Sequence, residues 1–243
     1  MSEGTLIAHR GAQKMTFDEL RALPVPVATR THQPVPHHEI VSAVIETLGF
    51  RHIQVVSQEF AATPDGMKCF GVLTLDHAFT GCRFAIGLRN SNDKSFRLAL
   101  TVGYRVMVCD NLAFKGDFTP VLAKHSKSFN LIDTISVGID KMQRNFDPIQ
   151  RNISEWTANE LTDNDAKLIL YEAFVEGGLE VTPKLLPAVH QAYFNPPHAD
   201  FAPRNLWSLS NGFTEAFKNL KPFDQYKAAA KLSPFLNRYN KPF

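Results

Sequence analysis

The chain has 243 residues, 44% hydrophobic and 21% charged, with 19 Phe, a composition that supplies a core and excludes a disordered polymer. Three cysteines without a C-x-x-C pair (Cys69, Cys82, Cys109) argue against a disulfide framework and a cysteine zinc site, and no apolar run reaches the ~18 residues of a membrane span. The net charge of +2 hides a segregation: residues 77–151 carry eleven Lys/Arg against six Asp/Glu, residues 152–200 two against eight, and residues 201–243 seven against two. Either the surface charge is segregated or the acidic and basic parts face each other.

Residues 1–36 read as an extended, proline-rich arm. Leu23-Pro24-Val25-Pro26-Val27 and Gln33-Pro34-Val35-Pro36 favour extended backbone without ladder bonds. The N-terminus lacks a secretory h-region, and with the reduced cysteines this points to the cytoplasm. Residues 37–243 read as one α+β domain, with a helix–meander–helix core over 37–157 and a helical part over 158–243. His37–Leu48 is a helix, with Ile40, Val41, Val44, Ile45 and Leu48 on one face and Gly49 as a stop. Strands follow at 53–60 and 68–75, joined by the turn residues Thr63-Pro64-Asp65-Gly66, then at 82–89 and 96–108.

The clearest helix spans 132–156. Ile132, Ile135, Ile139, Met142, Phe146, Ile149, Ile153 and Trp156 recur at 3-4 spacing, Asn130 is a cap, and Pro148 should kink or split the helix at Asp147. Thr162 with Asp165 forms a capping pair before another helix, ended by Gly177-Gly178. Helices are expected at 184–193, 204–219 and 225–239, the last around Pro234.

Two strands define a candidate site. Alternate residues of a strand face opposite sides. One face bears Phe84, Ile86 and Leu88, then Phe96, Leu98, Leu100 and Val102, and reads as core. The other bears Arg83, Ala85, Gly87 and Arg89, then Arg97, Ala99, Thr101, Gly103 and Arg105: small residues flanked by guanidinium groups. Either a helix covers this strip, or an extended anion lies along it, held by the planar forks of the arginines. The loop after Arg89 adds Asn90, Asn92 and Lys94, residue types that contact phosphate, sugar or base edges.

The stretch Gly87–Leu98 resembles the signature of the phage/plasmid-like protein family known as domain of unknown function 932. Val106-Met107-Val108-Cys109-Asp110-Asn111-Leu112, the run Leu206–Glu215 with its Trp207, Asn211 and Thr214, and Pro34-Val35-Pro36 resemble further parts of that family. The likeness covers about residues 30–220 and implies a mobile-element setting without an assigned reaction. The order helix, antiparallel meander, long helix is similar to the core of single-strand annealing proteins.

Catalytic signatures are missing. The chain has no G-x-S-x-G, P-loop, H-E-x-x-H or dinucleotide fingerprint, and no cofactor is expected. His37 and His38 are adjacent and point apart, which argues against a metal site. Asp110 and Asp117 follow the fourth strand. Asp133, Asp140 and Asp147 recur every seven residues, a row that could hold Mg²⁺ for nuclease chemistry or form a solvated face. The expected function is binding of single-stranded DNA or RNA through Arg83, Arg89, Asn90, Asn92, Lys94, Arg97 and Arg105, by a homo-oligomer that acts in strand annealing. A protein-interaction module, with the 3-4 helix as an exposed seam, and a Mg-dependent nuclease are the alternatives.

Overall fold

The computed structural model describes residues 11–109, 111–114, 119–220 and 222–240; Asp110, Asp117 and the first ten residues lie outside these. The chain is α+β, with an antiparallel sheet followed by a mostly helical C-terminal half. Sheet order is β1 (Gln13–Met15), β2 (Val55–Ala62), β3 (Lys68–Phe79), β4 (Cys82–Ser91), β5 (Leu98–Val106) and β6 (Leu112–Phe114), each antiparallel to the next. The short β7 (Val121–Ala123) pairs with Leu98–Leu100, while β6 pairs with Gly103–Arg105, so both flank the same edge of β5. The turn between β2 and β3 follows its residues: Gly66 takes φ +67° and donates its N–H to the Thr63 carbonyl at 2.8 Å.

The arm carries more structure than its prolines indicate. β1 extends the sheet edge, and α1 (Phe17–Arg21) starts at a reciprocal cap between Thr16 and Glu19. The arm then runs across the sheet end to α2 (His37–Phe50).

One sheet face is the main core. Leu73, Ile86, Leu88, Leu100 and Val102 join Ile40, Val44 and Leu48 of α2 in one apolar cluster. The 3-4 stripe is split between two helices, α3 (Leu131–Gln143) and α4 (Phe146–Ala158). The break falls at Arg144-Asn145, ahead of the expected Asp147. Pro148 sits in the first turn of α4, where its missing N–H has no helical partner to lose. Ile135, Ile139, Met142, Phe146, Ile149, Ile153 and Trp156 are all buried in the core and only Ile132 is exposed, so the stripe is no free seam for self-association. Gly138 lets α3 approach β7: a Cβ there would lie 2.2 Å from Val121 Cγ2.

The C-terminal half contains α5 (Asp163–Phe174), α6 (Leu186–Phe194), α7 (Leu206–Phe217) and α8 (Pro222–Leu236). The Thr162–Asp165 box caps α5 as the residues predict. Basic and acidic parts meet here: Lys231 pairs with Glu180, and Arg204 with Asp163 at 3.6 Å. Asn240 donates to Glu155 at 2.8 Å, and the Tyr239 hydroxyl donates to Glu172. The basic tail thus packs on the acidic segment. No helix among the described residues is long and apolar enough to cross a membrane.

Candidate nucleic-acid interface

Register places the expected strip on one face. Arg83 pairs with Arg105, Ala85 with Gly103, Gly87 with Thr101 and Arg89 with Ala99. The strip is nevertheless closed, which corrects the reading of an open anion track. Phe114 of β6 lies over it: a Cβ on Gly87 would meet the Phe114 ring at 2.9 Å and Thr101 Cγ2 at 2.9 Å. Phe70 and Val72 of β3 and Ala61 of β2 join Phe114 and Ala85 in a second apolar cluster, in which Ala85 is 0% exposed. At Gly103 a Cβ would sit 1.9 Å from the Ala113 carbonyl oxygen, so the missing side chain admits the β6 backbone itself. Small residues here serve the close approach of another strand and its phenylalanine.

The arginines divide. Arg105 reaches across the strip to an ion pair with Glu59 of β2, and Arg83 is half-buried. Arg105 is thereby committed to an internal carboxylate. Arg89 and Arg97 are exposed, and Arg89 stacks on Phe96 with its guanidinium carbon 5.5 Å from the ring centre. Phe96 does not follow the core face of β5. It precedes the strand, where alternation does not hold, and packs on Phe70 at 5.8 Å on the opposite side.

Asn90 and Asn92 are also corrected, because both are buried joints between β4 and the arm. Asn90 Nδ2 donates to His37 Nδ1 at 2.8 Å, and His37 Nε2 donates to the Gly66 carbonyl at 2.9 Å. This fixes His37 as a neutral imidazole; burial lowers its pKa, against the opposing bond to Gly66. Asn92 Oδ1 accepts from the Val35 N–H at 3.2 Å, and its backbone carbonyl accepts from His32 Nε2 at 3.2 Å.

Lys94 and Arg97 instead belong to a cleft of about 490 Å³ at the sheet end. Three segments build it: Thr31-His32 of the arm, the β4–β5 loop from Ser91 to Leu98, and Lys124-His125-Ser126 after β7. Lys94, Arg97 and Lys124 are exposed and form no ion pair among the described residues. Thr31, Ser91, Ser95, Ser126 and Phe96 complete the wall.

The loop that presents Lys94 is held from within. Ser91 Oγ, the Ser95 N–H and Lys68 all donate to Asp93, and Lys94 takes φ +66° at the tip. Burial pushes the Asp93 carboxyl up, but these bonds outweigh it together and hold its pKa below the ordinary aspartate range. One wall holds two stacked histidines, His32 and His125, with ring centres 5.7 Å apart. His125 also stacks on Phe129 at 5.6 Å. Burial, with the neighbouring His32 and His37, pushes its pKa down to about 4, so it is neutral at neutral pH. Sequence reasoning missed Lys124, His125 and Ser126. The signal available was the basic, hydroxyl-rich loop Lys124-His125-Ser126-Lys127-Ser128.

The aspartate row does not converge on a metal. Asp133 hydrogen-bonds the Asn130 cap, Asp140 pairs with Arg51 at 2.7 Å, and Asp147 belongs to the separate α4. Among the described residues, no three His, Cys, Asp or Glu gather as a metal site.

The segments that carry the family resemblance are joints of the fold. Asn90 and Asn92 fasten the arm, Asn111 Nδ2 donates to the Asn211 carbonyl at 3.4 Å, and Lys218 Nζ donates to the Cys109 carbonyl at 3.0 Å. No family model, curated protein or solved structure matches the chain.

Proposed function

We propose that the protein binds single-stranded nucleic acid, DNA or RNA, at the cleft between the β4–β5 loop, the arm and the segment after β7. The observation that carries this reading is the convergence of Lys94, Arg97 and Lys124, without ion-pair partners among the described residues, on a cleft also lined by Thr31, Ser126 and Phe96. Single strands are held by basic grooves with aromatic surfaces, and hydroxyls serve as further donors to phosphate. Arg89 on Phe96 extends the basic surface beside the cleft. Strand annealing in a phage or plasmid setting, in the cytoplasm, is the finer part of the proposal. It is supported by the resemblance at Gly87–Leu98 and by the meander set against α3 and α4.

Fluorescence anisotropy with a labelled single strand at low salt tests the reading. Binding should fall ~10-fold or more in Arg97→Glu, because the substitution reverses a phosphate-contacting charge. No binding by the wild-type protein contradicts it.

A second reading, a self-associating interaction module, is favoured by α5. Leu168 and Tyr171 of the helix and Val175 at its C-terminal cap are exposed at i, i+3, i+7 spacing, along one side. Light scattering should then show a mass above the monomer that Leu168→Glu reduces. A monomeric mass for the wild type counts against it.

A further inference from the structure

The arm is fastened to the sheet end around a buried histidine. The Gln33 N–H donates to the His125 carbonyl at 3.0 Å, the Val35 N–H to Asn92 Oδ1 at 3.2 Å, and His32 Nε2 to the Asn92 carbonyl at 3.2 Å. The rings of His32 and His125 lie nearly parallel, 14° apart, and Phe129 stacks on His125 as well. The arm thus closes over His125 with a backbone bond and a stacked imidazole.

His125 is 5% exposed, and its two ring nitrogens are shut off from solvent without a hydrogen-bond partner. A neutral imidazole in this place forgoes one donor and one acceptor. An imidazolium would carry a full charge and two donors with nothing to receive them, which costs far more. The neighbours raise that cost. The arm brings His32 against the ring, and α2 brings His37. The β4–β5 loop contributes Lys94 and Arg97, and the segment of His125 itself contributes Lys124 and Lys127. The acidic residue of the loop, Asp93, is taken up by Lys68, Ser91 and Ser95. A proton on His125 is therefore accommodated only when the ring reaches water, and the part of the structure that separates it from water through the fewest bonds is the arm.

We infer that residues 29–36 form a pH-gated latch, which closes the cleft while His125 is neutral and lifts from the sheet end when His125 takes up a proton. The sign follows from linkage: a histidine whose pKa is lower in the closed state favours closure above its free value of 6.5, and that preference is lost as pH falls towards about 4. His37 acts in the same sense, because Asn90 donates to its Nδ1 and to the Val35 carbonyl, and a proton on that nitrogen breaks the first of these bonds. Opening takes Thr31 and His32 out of the cleft wall, so acid dismantles one side of the cleft without unfolding the sheet. The latch is independent of what the cleft binds and is read without a ligand.

Amide hydrogen exchange by NMR on the full chain tests it, with intrinsic exchange rates divided out at each pH. Between pH 7 and pH 5 the opening of the Gln33 and Val35 amides should increase ~10-fold or more, while the amides of the β3–β4 ladder keep their protection. His125→Phe keeps a stacking ring that cannot be protonated, and should lose most of that increase. The ring of wild-type His125, followed by NMR over the same range, should take up its proton well below pH 6.5. Flat protection of Gln33 and Val35 in the wild type overturns the inference, as does a parallel loss across the β3–β4 ladder, which would mark global unfolding. A folded His125→Phe that retains the full increase also overturns it. Where that variant does not fold, the wild-type titration decides: protonation of His125 near pH 6.5 with the arm amides still protected contradicts the latch.

Discussion

Gly103 and Gly87 occupy one strip but face different neighbours, and substitution should separate them. A Cβ at Gly103 meets backbone, 1.9 Å from the Ala113 carbonyl oxygen, whereas at Gly87 it meets the ends of Phe114 and Thr101 at 2.9 Å. Gly103→Ala is therefore predicted to destabilise by about 3 kcal/mol or more and Gly87→Ala by about 1–2 kcal/mol, by urea titration. His125 gives a pH prediction. Its folded pKa is lowered from 6.5 to about 4, so the unfolded chain binds the extra proton first. Its contribution to stability is present above pH 6.5 and is lost as pH falls towards 4, and His37, also lowered, acts in the same direction. The stability of His125→Phe relative to wild type should rise across that window, read from urea midpoints at each pH. At this scale the sequence shows which residues share a face through period two, but not what covers them. Phe114 comes from a three-residue strand, too short to leave a pattern.

Helices and long strands were legible because periodicity repeats often enough to be read. The 3-4 stripe identifies the buried face of α3 and α4 almost completely, and Asn130 and Thr162 cap where they should. The break between α3 and α4 was misplaced because proline is tolerated in a first turn, so Pro148 marks the start of a helix. Pro148→Ala should accordingly change stability by less than about 0.5 kcal/mol. Arg51 joins α2 to α3: its Nε donates to Asp140 at 2.7 Å and its Nη2 to Ser136 Oγ at 2.9 Å. Arg51→Ala should destabilise by about 1–2 kcal/mol in the same urea assay, more than Asp140→Ala, because it removes several charge-assisted bonds at once. The heptad spacing of the aspartates was real in sequence. It has no common site, since one aspartate binds a cap, one an arginine, and the third lies past the break.

For the whole molecule, charge segregation resolves into two parts. The acidic segment is met by the basic tail through Lys231–Glu180 and Arg204–Asp163, while the middle segment leaves Lys94, Arg97 and Lys124 facing solvent on one cleft. Two of these three cations, Lys94 and Arg97, stood among the residues expected from sequence. Lys124 did not, because only the fold brings the segment after β7 beside the β4–β5 loop. The central claim is that these cations contact phosphates, and salt dependence measures such contacts directly. The affinity of a labelled single strand is to be followed against salt concentration for the wild type and for the Lys94→Gln, Arg97→Gln, Lys124→Gln triple variant. Each lost phosphate contact should flatten the log–log slope by roughly 0.7, so the variant is predicted to be shallower by about 2. Identical slopes for the two proteins would contradict the assignment of the cleft as the strand-binding site.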